Sequence, residues 1–93
     1  MSEVVMYCTR FCPYCIRAEQ LLTRKGVAIH KIQVDKKPEL WDEMQQRSGR
    51  DTVPQIYIGE RHIGGYDDMV ELDMDGELDD LLVPILDSDK AQG

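Results

Sequence analysis

Val4-Val5-Met6-Tyr7-Cys8-Thr9-Arg10-Phe11-Cys12-Pro13-Tyr14-Cys15 is the stretch on which the fold turns. Residues 4–8 are β-branched, aromatic and apolar on both faces, the pattern of a strand buried on each side. Thr9-Arg10-Phe11 forms a turn. Pro13 then suits a first helical position, where its missing N–H costs nothing. From there Cys15, Ala18 and Leu22 recur at helical spacing with Arg17, Glu19 and Gln20 off the stripe, and Lys25-Gly26 marks the stop. The unit is strand, Cys-Pro-Tyr-Cys, helix.

Outward from this unit, Ala28 to Val34 carries Ile29, Ile32 and Val34 and reads as a second strand, although its alternation is poor. Asp35-Lys36-Lys37-Pro38 breaks it and opens a helix with Leu40, Trp41 and Met44 on one side, ending near Ser48-Gly49. Gln55–Ile58 and Arg61–Ile63 flank Gly59-Glu60, and two residues between two short β runs signal a hairpin. Gly64-Gly65 is a turn and Asp67-Asp68 start a helix, where carboxylates suit the positive end of the dipole. Gly76 interrupts it. Leu78, Leu81, Leu82 and Ile85 give a last amphipathic helix, limited by Pro84 and followed by a frayed tail over 87–93. The order β-α-β-α-β-β-α, with a possible split of the last helix, predicts an α/β fold: a four-stranded mixed sheet with helices on both faces. It also predicts one domain over residues 1–93.

Composition narrows the function classes. Of 93 residues, 42% are hydrophobic and 31% charged, a globular balance. No apolar run approaches the roughly 20 residues that cross a membrane, and no secretory leader is visible, so a cytoplasmic protein is expected. Residues 1–65 hold ten basic and eight acidic side chains, whereas residues 66–93 hold one lysine and ten acids. The net charge of −7 repels phosphate backbones and argues against nucleic acid as a partner. The first part is near neutral and leaves room for a local cationic spot.

Cys8, Cys12 and Cys15 are an odd set of three, a poor match to a secreted disulfide framework. The Cys12–Cys15 spacing means redox chemistry or metal binding. With the helix beginning at Pro13, Cys12 is its cap and Cys15 lies one turn in. Residues three apart on a helix are neighbours at roughly 5–6 Å between β-carbons, and a tightened turn brings them within disulfide range, about 3.5–4.5 Å. Unpaired N–H groups and the dipole at the helix start favour an anion at Cys12. Cys15 is more shielded. Cys12 is therefore the expected nucleophile and Cys15 the resolving thiol. Structural zinc needs four ligands, and only Cys8, His30 and His62 are left to complete a set, without a second paired motif; no metal is expected.

Cys12-Pro13-Tyr14-Cys15, Thr52-Val53-Pro54 and Gly64-Gly65-Tyr66-Asp67-Asp68 together resemble the three signature stretches of glutaredoxins, in the family's order and over residues 3–86. The resemblance to this dithiol class implies a thioredoxin-like fold. It implies an enzyme that reduces protein disulfides and protein–glutathione mixed disulfides with glutathione as co-substrate, no tightly bound cofactor, and partners such as ribonucleotide reductase. It implies that Cys12 attacks the glutathionyl sulfur and Tyr14 lines the groove. Thr52 and Val53, held by a cis Pro54, meet the glutathione backbone. Backbone N–H groups at Gly65 and Tyr66 take the γ-glutamyl carboxylate, and Asp67 its ammonium. A basic residue common three positions before the first active-site cysteine is replaced here by Thr9, so Arg10 is expected to hold the glycine carboxylate. A monomer is expected.

Two other functions fit parts of the pattern: a carrier of a glutathione-ligated iron–sulfur cluster, and a thioredoxin-like electron carrier fed by a flavin reductase. The Pro13-Tyr14 pair and the competing Cys15 weigh against the cluster. Cys8 reads as a packing residue on the face of Val4 and Met6. His30 and His62 read as strand residues toward an edge or solvent, and Trp41 as a partly buried helix anchor.

Overall fold

The computed structural model describes residues 3–92, and the side chains of 3–86. Strand β1 (Val4–Cys8) leads through helix α1 (Pro13–Arg24) to β2 (Ile29–Gln33), and α2 (Pro38–Ser48) leads to the hairpin β3 (Gln55–Ile58) and β4 (Arg61–Gly64). Helices α3 (Tyr66–Met74) and α4 (Glu77–Gln92) follow. The sheet order is β2-β1-β3-β4: β1 runs parallel to β2, with Val4 opposite Ile29, and antiparallel to β3, with Met6 opposite Ile56. This is the four-stranded mixed sheet that the element order predicts and the thioredoxin-like arrangement that the resemblance implies.

Position in the sheet explains the strand sequences. Central β1 and β3 are buried at every residue, hence the apolar runs Val4–Cys8 and Ile56–Ile58, with Gln55 the one buried polar residue of β3. β2 is an edge strand, and its alternation is weak because its outer side needs none. Lys31 there pairs with Glu19 of α1 at 3.1 Å, a charge that blunts the free edge. On one face Val4, Met6, Cys8, Ile56 and Ile58 pack with Cys15, Ala18 and Leu22 of α1, Met69 of α3 and Leu78, Leu82 and Ile85 of α4. On the other, Val5, Tyr7 and Tyr57 pack with Met44 of α2, and Trp41 is half-buried against them.

This second face carries a polar layer. Tyr7 donates to Glu43 (2.9 Å) and accepts from Arg47 (3.1 Å), whose guanidinium lies 4.0 Å from the Tyr57 ring centroid. One arginine thus clamps α2 to two central strands by charge-assisted hydrogen bonding and a cation–π contact. Helix α2 ends at Gly49, whose φ of 72° is left-handed and suits a residue without a β-carbon.

Two details depart from expectation. Pro84 does not limit the last helix: α4 continues through it to Gln92. The hydrogen bond lost at Pro84 is outweighed by the burial of Leu82 and Ile85 on either side. His62 lies on the edge strand β4, as expected, but is half-buried there, stacked on Tyr57 at 4.8 Å between ring centroids; His30 is exposed, as expected. The tail expected to fray lies, in its side chains, outside the described residues. No described helix is long and apolar enough to cross a membrane.

Candidate active site

The start of α1 places the two motif cysteines. Cys12 is the N-cap, with extended backbone (φ −106°, ψ 111°), and its Sγ accepts the backbone N–H of Cys15 at 3.3 Å. The sulfur thus takes the place that a serine or aspartate oxygen usually fills, next to the unpaired donors and positive end of the helix. It also lies 3.9 Å from the Val53 carbonyl oxygen. Both thiols are free, 9% exposed at Cys12 and 4% at Cys15. The Cys15 thiol is pushed up to about 12, first by burial and then by sharing its proton with the Cys12 sulfur; a backbone hydrogen bond at Thr9 works the other way. Cys15 therefore stays protonated at neutral pH. Burial also pushes the Cys8 thiol up, against the pull of Lys31, so Cys8 is an unionised packing group in the same apolar cluster.

An open cavity of about 280 Å³ lies beside this helix start, lined by Tyr14, Thr52, Val53, Pro54, Gly65, Tyr66 and Asp67 together with Arg50 and Asp68. Three separated sequence stretches meet here because the β3–β4 hairpin returns the chain after Gly64 to the loop before β3. The Val53–Pro54 peptide bond is cis. Tyr14 and Tyr66 form one wall, with ring centroids 6.1 Å apart.

Of the residues singled out from sequence, Arg10 alone stands apart from this group. Its backbone N–H is held by Asp35 (3.2 Å), and its guanidinium lies 5.9 Å from the Phe11 ring centroid. Gly65 lines the cavity, but its N–H already donates to Asp68 Oδ2 (2.9 Å). The donors left at the start of α3 are those of Tyr66, Asp67 and Asp68, first-turn N–H groups with no intrahelical acceptor.

Sequence reasoning missed two supporting pairs. Arg50 Nη1 donates to Asp68 Oδ2 at 2.9 Å, and this bond, followed by that from Gly65, holds the Asp68 carboxyl below the usual carboxylate range. Asp68 thereby closes half of a capping box on α3 and ties it to the loop carrying Thr52. Gly64, with φ 112°, leaves the space: a β-carbon there would collide with Asp68 Oδ2 and lie 3.0 Å from Arg50 Nη1. Counting outward from the two-residue hairpin turn would have brought residues 50–54 beside 65–68.

The second pair is Gln55 and His62. Gln55 is fully buried and donates to the Thr52 carbonyl (2.9 Å) and hydroxyl (3.2 Å). Its oxygen is left to accept from His62 Nε2 at 2.7 Å. Burial, then the charge of Arg50, pulls His62 below its ordinary value, which keeps the ring neutral. The loop entering the cavity is thus fixed from beneath by an amide whose every polar atom is satisfied.

The assembled site is a helix-capping sulfur with a protonated thiol behind it, opening on a cleft with backbone donors and charges of both signs. The chain matches the sequence model of the glutaredoxin family over residues 4–63. It is 56% identical over 82 residues to a glutaredoxin of Pseudomonas aeruginosa, covering 88% of this chain and 98% of that one. It superposes on the solution structure of a glutaredoxin from Brucella melitensis with a TM-score of 0.77 and 51% identity, covering 86% of this chain and 87% of that chain. A buckwheat glutaredoxin–glutathione complex gives a TM-score of 0.83 at 30% identity, over 89% of this chain and 78% of that one. The chain belongs to the glutaredoxin family of thiol–disulfide oxidoreductases, within the thioredoxin-like superfamily.

Proposed function

We propose that the chain uses glutathione to reduce protein–glutathione mixed disulfides and protein disulfides, with the Cys12 sulfur as nucleophile. In the first step the Cys12 thiolate attacks the glutathionyl sulfur; the Cys12–glutathione bond forms, the mixed disulfide breaks, and the target leaves as a thiolate that takes a proton from solvent. A second glutathione thiolate then attacks the bound glutathionyl sulfur, releasing glutathione disulfide and restoring Cys12. With a protein disulfide as substrate, Cys12 forms a mixed disulfide with the target. Cys15 then gives up its proton, attacks the Cys12 sulfur and expels the target thiol, leaving a Cys12–Cys15 disulfide that two glutathiones reduce. Each half-reaction moves two electrons from thiols to a disulfide.

The observation that carries this reading is the pairing of the Cys12 sulfur with the N–H of Cys15, at the mouth of a cleft bordered by the Val53 backbone and the start of α3. The free N–H groups of Tyr66 and Asp67 suit the γ-glutamyl carboxylate, as a helix start suits an anion. The Asp67 side chain suits its ammonium. The Val53 backbone is available for pairing with the cysteinyl unit. Arg50, on the cavity lining, rather than Arg10, supplies positive charge for a carboxylate. The buckwheat glutaredoxin–glutathione complex supports glutathione as ligand.

A protein disulfide such as that of ribonucleotide reductase is a larger target of the same chemistry. A reducing cytoplasm suits it, and one subunit contains every group named. The test is turnover of a glutathionylated peptide by Cys12→Ser and Cys15→Ser: loss of activity in the first and retention in the second is expected. Turnover by Cys12→Ser would overturn the assignment.

A further inference from the structure

We propose that Phe11, Tyr14 and Ile16, flanked by Arg10 and Arg17, form the docking surface for the protein half of the substrate and select target cysteines set in acidic, apolar segments. The inference rests on the reaction just proposed. Five large apolar side chains are exposed among the described residues, and three of them bracket Cys12: Phe11 at 85%, Tyr14 at 52% and Ile16 at 51%. Exposed apolar groups scattered singly need no explanation, but three within four residues of a reacting cysteine, one of them hydrogen-bonded through its backbone N–H to the Cys12 carbonyl, do.

The charge of this rim is opposite to that of the molecule. The Arg10 guanidinium lies 5.9 Å from the Phe11 ring centroid and that of Arg17 5.8 Å from the Tyr14 centroid. Neither has an ion-pair partner among the described residues, whereas Lys25, Lys31 and Arg50 do. The net charge of the chain is −7, with the excess acid beyond residue 65. An acidic partner is repelled by the acid-rich segment beyond residue 65 and drawn to the rim where its disulfide meets Cys12, so charge orients the encounter.

The reaction's own geometry leaves this rim to the protein. With glutathione in the cleft bounded by Thr52 to Pro54 and Gly65 to Asp67, the departing sulfur lies away from the cleft, because a disulfide is attacked in line with the bond that breaks. Tyr14 borders both sides, and Phe11 and Ile16 lie outside the cavity lining.

The experiment compares three substrates: the mixed disulfide of glutathione with free cysteine, and two glutathionylated peptides whose flanks differ only in carrying Asp and Glu or Lys. The native protein is expected to show a kcat/KM several-fold higher for the acidic peptide, with the preference shrinking in 1 M salt. Arg17→Glu is expected to cut the acidic peptide's kcat/KM by about fivefold and raise that of the basic one, and Phe11→Ser to lower both peptides by about fivefold. Both variants should turn over the cysteine–glutathione disulfide within about twofold of the native rate, which also reports that they are folded. Equal turnover of the two peptides, or equal loss on all three substrates, overturns the docking proposal while leaving the reaction intact. No turnover of the small disulfide by native protein overturns the reaction itself. A dimer of the native chain that Phe11→Ser dissociates would place a second copy on the rim and overturn the assignment.

Discussion

Gly64→Ala separates the backbone at the mouth of the site from the side-chain pair laid across it. The new methyl requires a φ of 112° that L residues rarely adopt, and it enters the space of Asp68 and Arg50. The backbone conformation costs about 1–3 kcal/mol. Moving Asp68 forfeits its bond to the Gly65 N–H, worth about 0.5–2 kcal/mol as a cap. The Arg50–Asp68 pair has side chains 48% and 43% exposed, so its loss adds at most about 1 kcal/mol. Together these come to about 1.5–6 kcal/mol, and at roughly 4–8 °C per kcal/mol for a domain of this size the midpoint should fall by at least about 6 °C. Urea and thermal unfolding of Gly64→Ala, Asp68→Ala and the double variant close the cycle. In the Asp68→Ala background the glycine substitution should cost about 1–2 kcal/mol less, because the cap is already gone. A loss below about 0.5 kcal/mol, or equal losses in both backgrounds, refutes the reasoning.

Three further outcomes follow from the same contacts. Tyr7→Phe removes the hydroxyl shared by Glu43 and Arg47 and should cost about 1 kcal/mol in urea unfolding, with turnover of a glutathionylated peptide unchanged. Gln55→Leu leaves the Thr52 loop and His62 without their shared partner; KM for the glutathionylated peptide should rise more than kcat falls, alongside a stability loss of about 1–3 kcal/mol. Cys8 and Cys15 are both held above the ordinary thiol value, so the unfolded chain releases those protons first. Their contribution to stability is complete below about pH 9.0 and is lost as pH rises, toward about 12 for Cys15, by at most about 1.4 kcal/mol per pH unit per thiol. Cys15→Ser should flatten that alkaline limb of the stability curve.

The elements nearest the first cysteines were legible because local rules and tertiary packing agree there. Pro13 at a first helical position, the Cys15–Ala18–Leu22 stripe and Gly26 bound α1 within a residue of its observed limits. Gly59-Glu60 likewise marked the hairpin, because a two-residue turn is written locally. Pro84 misled because the burial of Leu82 and Ile85 against distant strands overrides a local breaker. The half-burial of His62 on edge strand β4 is illegible for a related reason: its partners, Tyr57 and Gln55, lie across the hairpin, and a bulge between Ile56 and Tyr57 shifts the register. Arg50 and Asp68 escaped notice as a pair because eighteen residues separate them and each alone is an ordinary loop or helix-start charge. Arg10 is expected at the cleft because it neighbours Thr9, which fills the family's basic position, but the cavity lining holds Arg50 instead, and the Arg10 backbone N–H is held by Asp35, beyond β2.

Identifying the sulfur that carries glutathione tests the central claim most directly. Cys15→Ser protein treated with glutathione disulfide and then digested for peptide mass analysis should carry one glutathione on Cys12 and none on Cys8. Glutathione on Cys8, or an unmodified Cys12 under conditions that modify a free thiol, would contradict the account.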